Sequence, residues 1–337
     1  MYVITYICLS ILTTASLKLM RSRPDVLVLG GGGVLGLEWI MGLLAGIEDA
    51  TGFDLRDCEY FVGTSAGSIA AAHLVGGRGP RRPSDTGTPP KPTEAIPDAD
   101  EEEQAQERAR LGAAALQAAR RAGEWSLAVG SPLAPVALTL ARPGGTLVRA
   151  GVLTRIPTPD RNLDDLQERV QRYGARFDGR LRIACVERAT GRRVLFGSPG
   201  APAATVPEAV AASCAVPWLF APVSIGGREY VDGGVWSATN LDAAPAGRDT
   251  HVLCLNPTAG LSGSHTVAAV GRRWARSAVS VEALALRRRG AVVRTVAPDT
   301  ESSAAMGGDF MDLEPRARVL AAGYAQGLRE GSEIRTR

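Results

Sequence analysis

Twice before residue 75, an apolar run stops at glycine and gives way to helix. Asp25-Val26-Leu27-Val28-Leu29 is continuous and partly β-branched, the pattern of a strand buried on both faces. Gly30-Gly31-Gly32-Gly33 follows. Leu37, Ile40, Met41, Leu44 and Ile47 then recur at helical spacing to about Ala50, and Thr51-Gly52 stops the helix. Glu59 to Val62 reads as a second strand, Gly63-Thr64-Ser65-Ala66-Gly67 as a second turn, and Ser68 to Leu74 as the start of a second helix. Strand, turn, helix, strand, turn, helix is a βαβα order. It takes a right-handed crossover and pairs the strands in parallel. Both glycine turns then lie at the carboxyl edge of the sheet, side by side.

The second turn is Gly-x-Ser-x-Gly. A serine at a strand-to-helix hinge sits in a tight, strained turn that lifts its hydroxyl above the sheet edge. Gly63 and Gly67 have no Cβ, so other chain can come close. The helix behind points its free N–H groups and positive dipole end at the serine, which suits a developing oxyanion. Ser65 is the candidate nucleophile.

The first turn has two uses open to it. Gly31-x-Gly33-x-x-Gly36 fits the dinucleotide fingerprint. That fingerprint expects an acidic residue after the second strand, where this chain has Gly63-Thr64-Ser65. The other use is an oxyanion hole, in which the backbone N–H groups of Gly31, Gly32 and Gly33 meet the carbonyl oxygen that Ser65 attacks.

A general base is expected late in the chain. Pro222 to Val231 reads as two short strands joined by Gly226-Gly227, a hairpin with a two-residue turn that delivers Asp232-Gly233-Gly234. A carboxylate there is held by rigid backbone and can take the Ser65 proton, given a site dry enough to strengthen the contact. The rival reading is a Ser-His-Asp triad from Ser65, Asp232 or Asp249, and His251 or His265. Against it, His251 opens an apolar strand and His265 sits near a helix start.

Taken in order, these motifs resemble those of the patatin-like phospholipase family. Gly31-Gly32-Gly33-Val34-Leu35-Gly36 is similar to its glycine-rich motif, Gly63-Thr64-Ser65-Ala66-Gly67 to its nucleophile motif, and Asp232-Gly233-Gly234 to its Asp-Gly-Gly/Ala motif. The run Ala212 to Val223 resembles the family segment before that aspartate. Many members carry Arg or Lys where this chain has Leu35. The resemblance implies a three-layer α/β/α fold with a mostly parallel central sheet. It also implies a lipid acyl hydrolase with a Ser65–Asp232 dyad and an acyl-serine intermediate, needing no metal, no cofactor and no histidine. Besides the triad esterase, two rivals stand beside it: a dinucleotide-binding oxidoreductase and a non-catalytic lipid-binding protein.

The expected partner is an acyl lipid at a membrane surface, and the expected location is cytoplasmic with membrane association. A net charge of +3 is too small to point to nucleic acid. Five scattered cysteines without a C-x-x-C pair fit a reducing compartment.

Residues 1–22 form an apolar leader. It reads either as a weak anchor with Lys18, Arg21 and Arg23 on the cytoplasmic side, or as an upstream extension of a chain whose translation starts at Met20; the second reading is preferred. Residues 23–257 are expected to form the catalytic domain. A disordered linker at 76–97, rich in Gly and Pro, interrupts it. Helices are expected over 98–123, 132–142 and 163–173, either as a lid over the site or as cover for one sheet face. Residues 258–337 are read as a C-terminal helical part on the same domain, with a long basic helix at 266–289, a strand at 292–296 and a last helix at 315–330. The basic pairs and triplets, Arg81-Arg82 and Arg287-Arg288-Arg289, read as solvated faces.

Overall fold

In a computed structural model that describes residues 23–85, 145–260 and 267–336, eight strands form one sheet. They are β1 (Val26–Leu29), β2 (Tyr60–Thr64), β3 (Leu181–Glu187), β4 (Arg193–Phe196), β5 (Val223–Ile225), β6 (Arg228–Asp232), β7 (His251–Leu255) and β8 (Val292–Val296). Their order is β5-β6-β3-β2-β1-β7-β8, with β4 pairing to β3 off this path. The pairs β1–β2, β1–β7, β2–β3 and β7–β8 are parallel. Those of β3 with β4 and β6, and of β5 with β6, are antiparallel.

The alternation of side chains along each strand sorts the core into two layers. On one face Leu27, Leu29, Phe61, Ile183 and Leu253 pack against α1 (Gly33–Thr51), α2 (Ala66–Val75), α4 (Asp164–Gln171) and α5 (Val206–Cys214). On the other, Val26, Val28, Val62 and Val252 meet Leu241, Ala243 and Ala244, together with Val279, Ala283 and Leu286 of α6 (Val267–Arg288). A smaller cluster joins Val186 and Val231 to Leu153 at the end of α3 (Thr146–Leu153). The result is the expected three-layer α/β/α arrangement around a mostly parallel sheet.

The last elements, α7 (Thr300–Met306) and α8 (Arg316–Thr336), complete the outer layer. α8 lies on α1 closely enough that a Cβ on Gly42 would stand 2.2 Å from the Leu320 carbonyl oxygen, and one on Gly327 2.2 Å from that of Leu43. Glycine at the crossing lets the two backbones touch, which no larger side chain permits. Trp39 Nε1 donates to Gln326 Oε1 at 2.9 Å within the same contact.

Two expectations need correction here. The start of the supposed disordered linker is ordered, because its arginines find carboxylates on α1. Arg81 pairs with Glu38 at 2.7 Å and Arg82 with Asp49 at 2.7 Å, so Arg81-Arg82 is not merely a solvated face. A short 3-10 turn, Pro83–Asp85, follows. The helix at 146–153 and the one at 300–306 were not foreseen. The leader, the rest of the linker from 86, the helices expected at 98–123 and 132–142, and His265 lie outside the described residues. Among the described residues, no helix is long and apolar enough to cross a membrane.

Candidate active site

The registers on β3 decide what meets what. Ile183 and Ala184 pair with both β2 and β4, and Cys185 and Val186 with both β4 and β6. A strand residue has only two edges, so β2 and β6 share one edge of β3. β2 runs up that edge and ends with Thr64 opposite Ala184. β6 runs down it and ends with Asp232 opposite Cys185, the next residue. Two strand ends therefore meet head to head, and each chain must leave the sheet at the junction. Ser65 leaves from one side and Gly233 from the other.

Ser65 leaves with φ 51° and ψ −123°, a left-handed backbone that a residue with a Cβ adopts at a cost of about 1–3 kcal/mol. Its neighbours make the turn possible. A Cβ on Gly67 would lie 1.9 Å from the Leu29 carbonyl oxygen, and one on Gly63 2.5 Å from Ser68 Cα. The end of α5 plugs the gap left in the ladder. Ser213 Oγ donates to the Ala184 carbonyl at 2.7 Å and accepts the Ser65 N–H at 2.9 Å. Close by, the Asp232 N–H donates to the Ala215 carbonyl at 3.0 Å. α5 itself is held at its start by a capping box between Thr205 and Glu208.

At the junction Ser65 and Asp232 line one cleft, and the Ser65 side chain acts to lower the pKa of the Asp232 carboxyl. Asp232 is 4% exposed, and its Oδ1 accepts the Gly234 N–H at 2.6 Å. Burial pushes its carboxyl from 3.8 up to about 6, against the opposing pull of the nearby Ser65 side chain and the Gly234 N–H. Such a carboxylate is ionised at neutral pH yet a stronger base than an exposed one. Cys214 lies close by, with Sγ 4.0 Å from Ser68 Oγ. Burial pushes its thiol up to about 12, so it stays protonated and is no rival nucleophile near neutral pH.

The glycine turn arches over Ser65, as its neighbouring strand position predicts. A Cβ on Gly31 would sit 3.3 Å from Ser65 Cβ. One part of the expected oxyanion hole is corrected: the Gly31 N–H is already spent on the Ala238 carbonyl at 2.8 Å. The loop that follows Asp232 reaches back to the turn and supplies that acceptor, which no local pattern announces. The N–H groups of Gly32, Gly33 and Val34 have no acceptor among the described residues. They form the uncapped first turn of α1, where N-cap Gly32 brings no side chain. Gly33, at φ 60°, lies under the Phe310 carbonyl.

Ser65, Asp232 and the Gly31–Gly33 turn line one cleft of about 620 Å³. Its walls are mostly apolar and include Leu37, Ile69, Leu166, Val216, Leu219 and Phe220. α4 packs on the sheet face with Leu166 and Val170 and also borders the site with Leu166, Arg169 and, just before it, Leu163. Arg169 and Arg316 are its basic members; Arg316 pairs at 2.8 Å with Glu38, which lines the cleft too. The exposed side chains of Met311 and Leu313 belong to the same lining. Leu35 is fully buried and belongs to the core.

No histidine lines this cleft among the described residues. His251 and Asp249 stand at the opposite edge of the sheet: His251 is level with Asp25 and Glu59, six residues before Ser65. That is ~20 Å of strand, too far for proton transfer. His73 Nε2 bonds to the Gly79 carbonyl at 2.9 Å, and its ring packs edge-on against Tyr173.

Sequence reasoning missed Ser213 and the loop at 237–241. A serine at the end of an alanine-rich helix carries no signal by itself. Asn240 is fully buried at φ 51°, and its Nδ2 donates to Thr64 Oγ1 at 3.1 Å, to the Ser237 carbonyl at 2.8 Å and to the Gly233 carbonyl at 3.3 Å.

A family model described as Patatin-like phospholipase matches residues 27–245. Among solved structures, VipD from Legionella pneumophila is similar at 15% identity and a TM-score of 0.42, over 91% of this chain and 66% of that one. The type III effector protein ExoU is similar at 14% identity and a TM-score of 0.35, over 94% of this chain and 55% of that one. This chain therefore spans less than two thirds of the length of either protein. No curated protein matches.

Proposed function

The chain belongs to the patatin-like phospholipase family, and from that premise we propose that it is a serine lipid acyl hydrolase working through Ser65 and Asp232. Ser65 Oγ attacks the carbonyl carbon of an acyl ester while the Asp232 carboxylate takes its proton. The oxyanion moves under the Gly32 and Gly33 N–H groups; one such donor is worth about 10²–10³ in rate. Collapse of this intermediate expels the alcohol, which leaves with the proton held by Asp232. Water then attacks the acyl-serine with Asp232 as general base, and the free acid and Ser65 are restored.

The observation that carries this reading is one cleft that holds Ser65 together with a buried carboxylate of raised pKa, beneath two uncommitted amides. The apolar cleft supports an acyl chain as the group bound there. Its exposed Met311 and Leu313 suit uptake of that chain from a membrane surface. Hydrolysis of p-nitrophenyl butyrate tests it. Ser65→Ala and Asp232→Asn are each expected to remove at least about 10³-fold of kcat/KM. A fluorophosphonate probe is expected to label the wild type and not Ser65→Ala, and His251→Ala is expected to keep its activity. Full activity in Ser65→Ala would overturn the assignment.

A further inference from the structure

Glu282 lies in α6, beyond the segment that the family model matches. With Val279, Ala283 and Leu286 it completes a stripe at i, i+3, i+4 and i+7 that faces the core. A carboxylate in such a stripe, 2% exposed, needs a strong reason to be there. Its partners supply one. Oε1 accepts the Ser237 hydroxyl at 2.8 Å, and Oε2 accepts the Thr239 hydroxyl at 3.1 Å and the Leu241 N–H at 3.0 Å. An ionised carboxylate is an acceptor only, so three converging donors suit it and make charge-assisted bonds.

The loop it grips touches every part of the site. Ser237 Oγ accepts the Asn240 N–H at 3.1 Å. Asn240 Nδ2 donates to Thr64, the residue before Ser65, and to the carbonyl of Gly233, the residue after Asp232. The Ala238 carbonyl accepts the Gly31 N–H. The nucleophile turn, the base and the oxyanion turn come from distant parts of the chain, and this one loop cross-links all three.

We infer that Glu282 is a positioning residue: it clamps the 237–241 loop and so holds the Ser65 turn, the Asp232 turn and the glycine turn in mutual register. The inference rests on the proposed dyad for its catalytic meaning. Glu282→Gln keeps the shape and turns one acceptor into a donor. The new NH₂ faces either the Ser237 hydroxyl, whose oxygen already accepts backbone N–H groups, or the Thr239 and Leu241 donors. Either way the loop loosens. A shift of about 1 Å in such a constellation costs about 10²-fold in rate.

Two measurements on the full chain test this. Amide hydrogen exchange, which needs no substrate, is expected to speed up at least about tenfold in Glu282→Gln for peptides containing Gly31 and residues 233–241, while peptides of β7 and β8 keep wild-type rates. With p-nitrophenyl butyrate, kcat is expected to fall about 10–100-fold with KM within about threefold. Ser237→Ala, which removes one arm, is expected to show the same split with a smaller loss. Wild-type exchange in those peptides, or wild-type kcat in a folded Glu282→Gln, overturns the clamp. So does a kcat loss that disappears when the variant is assayed well below its unfolding temperature. A wild type that hydrolyses no ester sinks the dyad instead, and the exchange comparison still decides whether Glu282 clamps the loop.

Discussion

Replacing Asp232 by Asn is expected to make the protein more stable while it removes the chemistry, and the gain is expected to depend on pH. Burial raises the Asp232 carboxyl from 3.8 to about 6 in the folded chain. The folded state therefore binds this proton more tightly than the unfolded state does. Its contribution to stability is fully present below pH 3.8 and is lost as pH rises through about 6. The gap between 3.8 and about 6, at about 1.36 kcal/mol per pH unit, makes the ionised carboxylate cost about 3 kcal/mol above pH 7. The same relation predicts about half of that cost at pH 5 and only a small part of it at pH 4. The asparagine side chain carries no charge to desolvate, and its carbonyl oxygen can still accept the Gly234 N–H. Other titrating groups are common to both proteins and cancel in the difference. Urea unfolding of wild type and Asp232→Asn at pH 4, 5, 6, 7 and 8 reads it directly. The stability difference should widen in favour of the variant from pH 4 to about 6 and stay flat above about 7. A difference that is constant over this range, or that narrows as pH rises, would refute a buried, destabilised carboxylate at the junction.

The same proton is expected to set the acid limb of activity. kcat/KM for p-nitrophenyl butyrate should fall tenfold per pH unit below about 6 and level off above it, and a limb below about pH 4.5 would mean that Asp232 is not the base. Ser213→Ala leaves the Ala184 carbonyl and the Ser65 N–H without their shared partner. It should cost about 1–3 kcal/mol in urea unfolding, together with a drop in kcat. Gly67→Ala puts a Cβ 1.9 Å from the Leu29 carbonyl oxygen and should yield no stable protein by thermal unfolding. Gly79→Ala, which meets nothing within 4 Å, should stay within about 0.5 kcal/mol of wild type.

Much of the scaffold could be read along the chain, because the forces that shape it act within a few residues. β1 ended at its glycine turn where the apolar run stopped, β2 ran two residues past its apolar run, through Gly63 to Thr64, and the Gly226-Gly227 turn, with φ of 57° and 75°, joined β5 to β6 as its composition requires. The parallel neighbours β1 and β2 then put both glycine turns at one edge of the sheet. Other features were silent in the sequence because they depend on distant partners. The ordering of residues 76–85 is one: a Gly- and Pro-rich stretch reads as disordered until Glu38, Glu48 and Asp49 of α1 are seen to face Arg81 and Arg82. The Gly31 amide is another, since nothing near Gly31 in the chain shows that Ala238 will take its hydrogen.

Periodicity, glycine turns and capping residues on their own determined the βαβα start, the hairpin, most of the core helices, though not those at 146–153 and 300–306, and which residues were able to react. They did so because backbone hydrogen bonding and side-chain alternation are local. Only the tertiary structure decided that β2 and β6 end against each other on one edge of β3, that Ser213 fills the gap between them, and that Glu282 reaches the loop joining the pieces. Strand register is chosen by packing between segments far apart in the chain, and no window of sequence contains both sides of that choice.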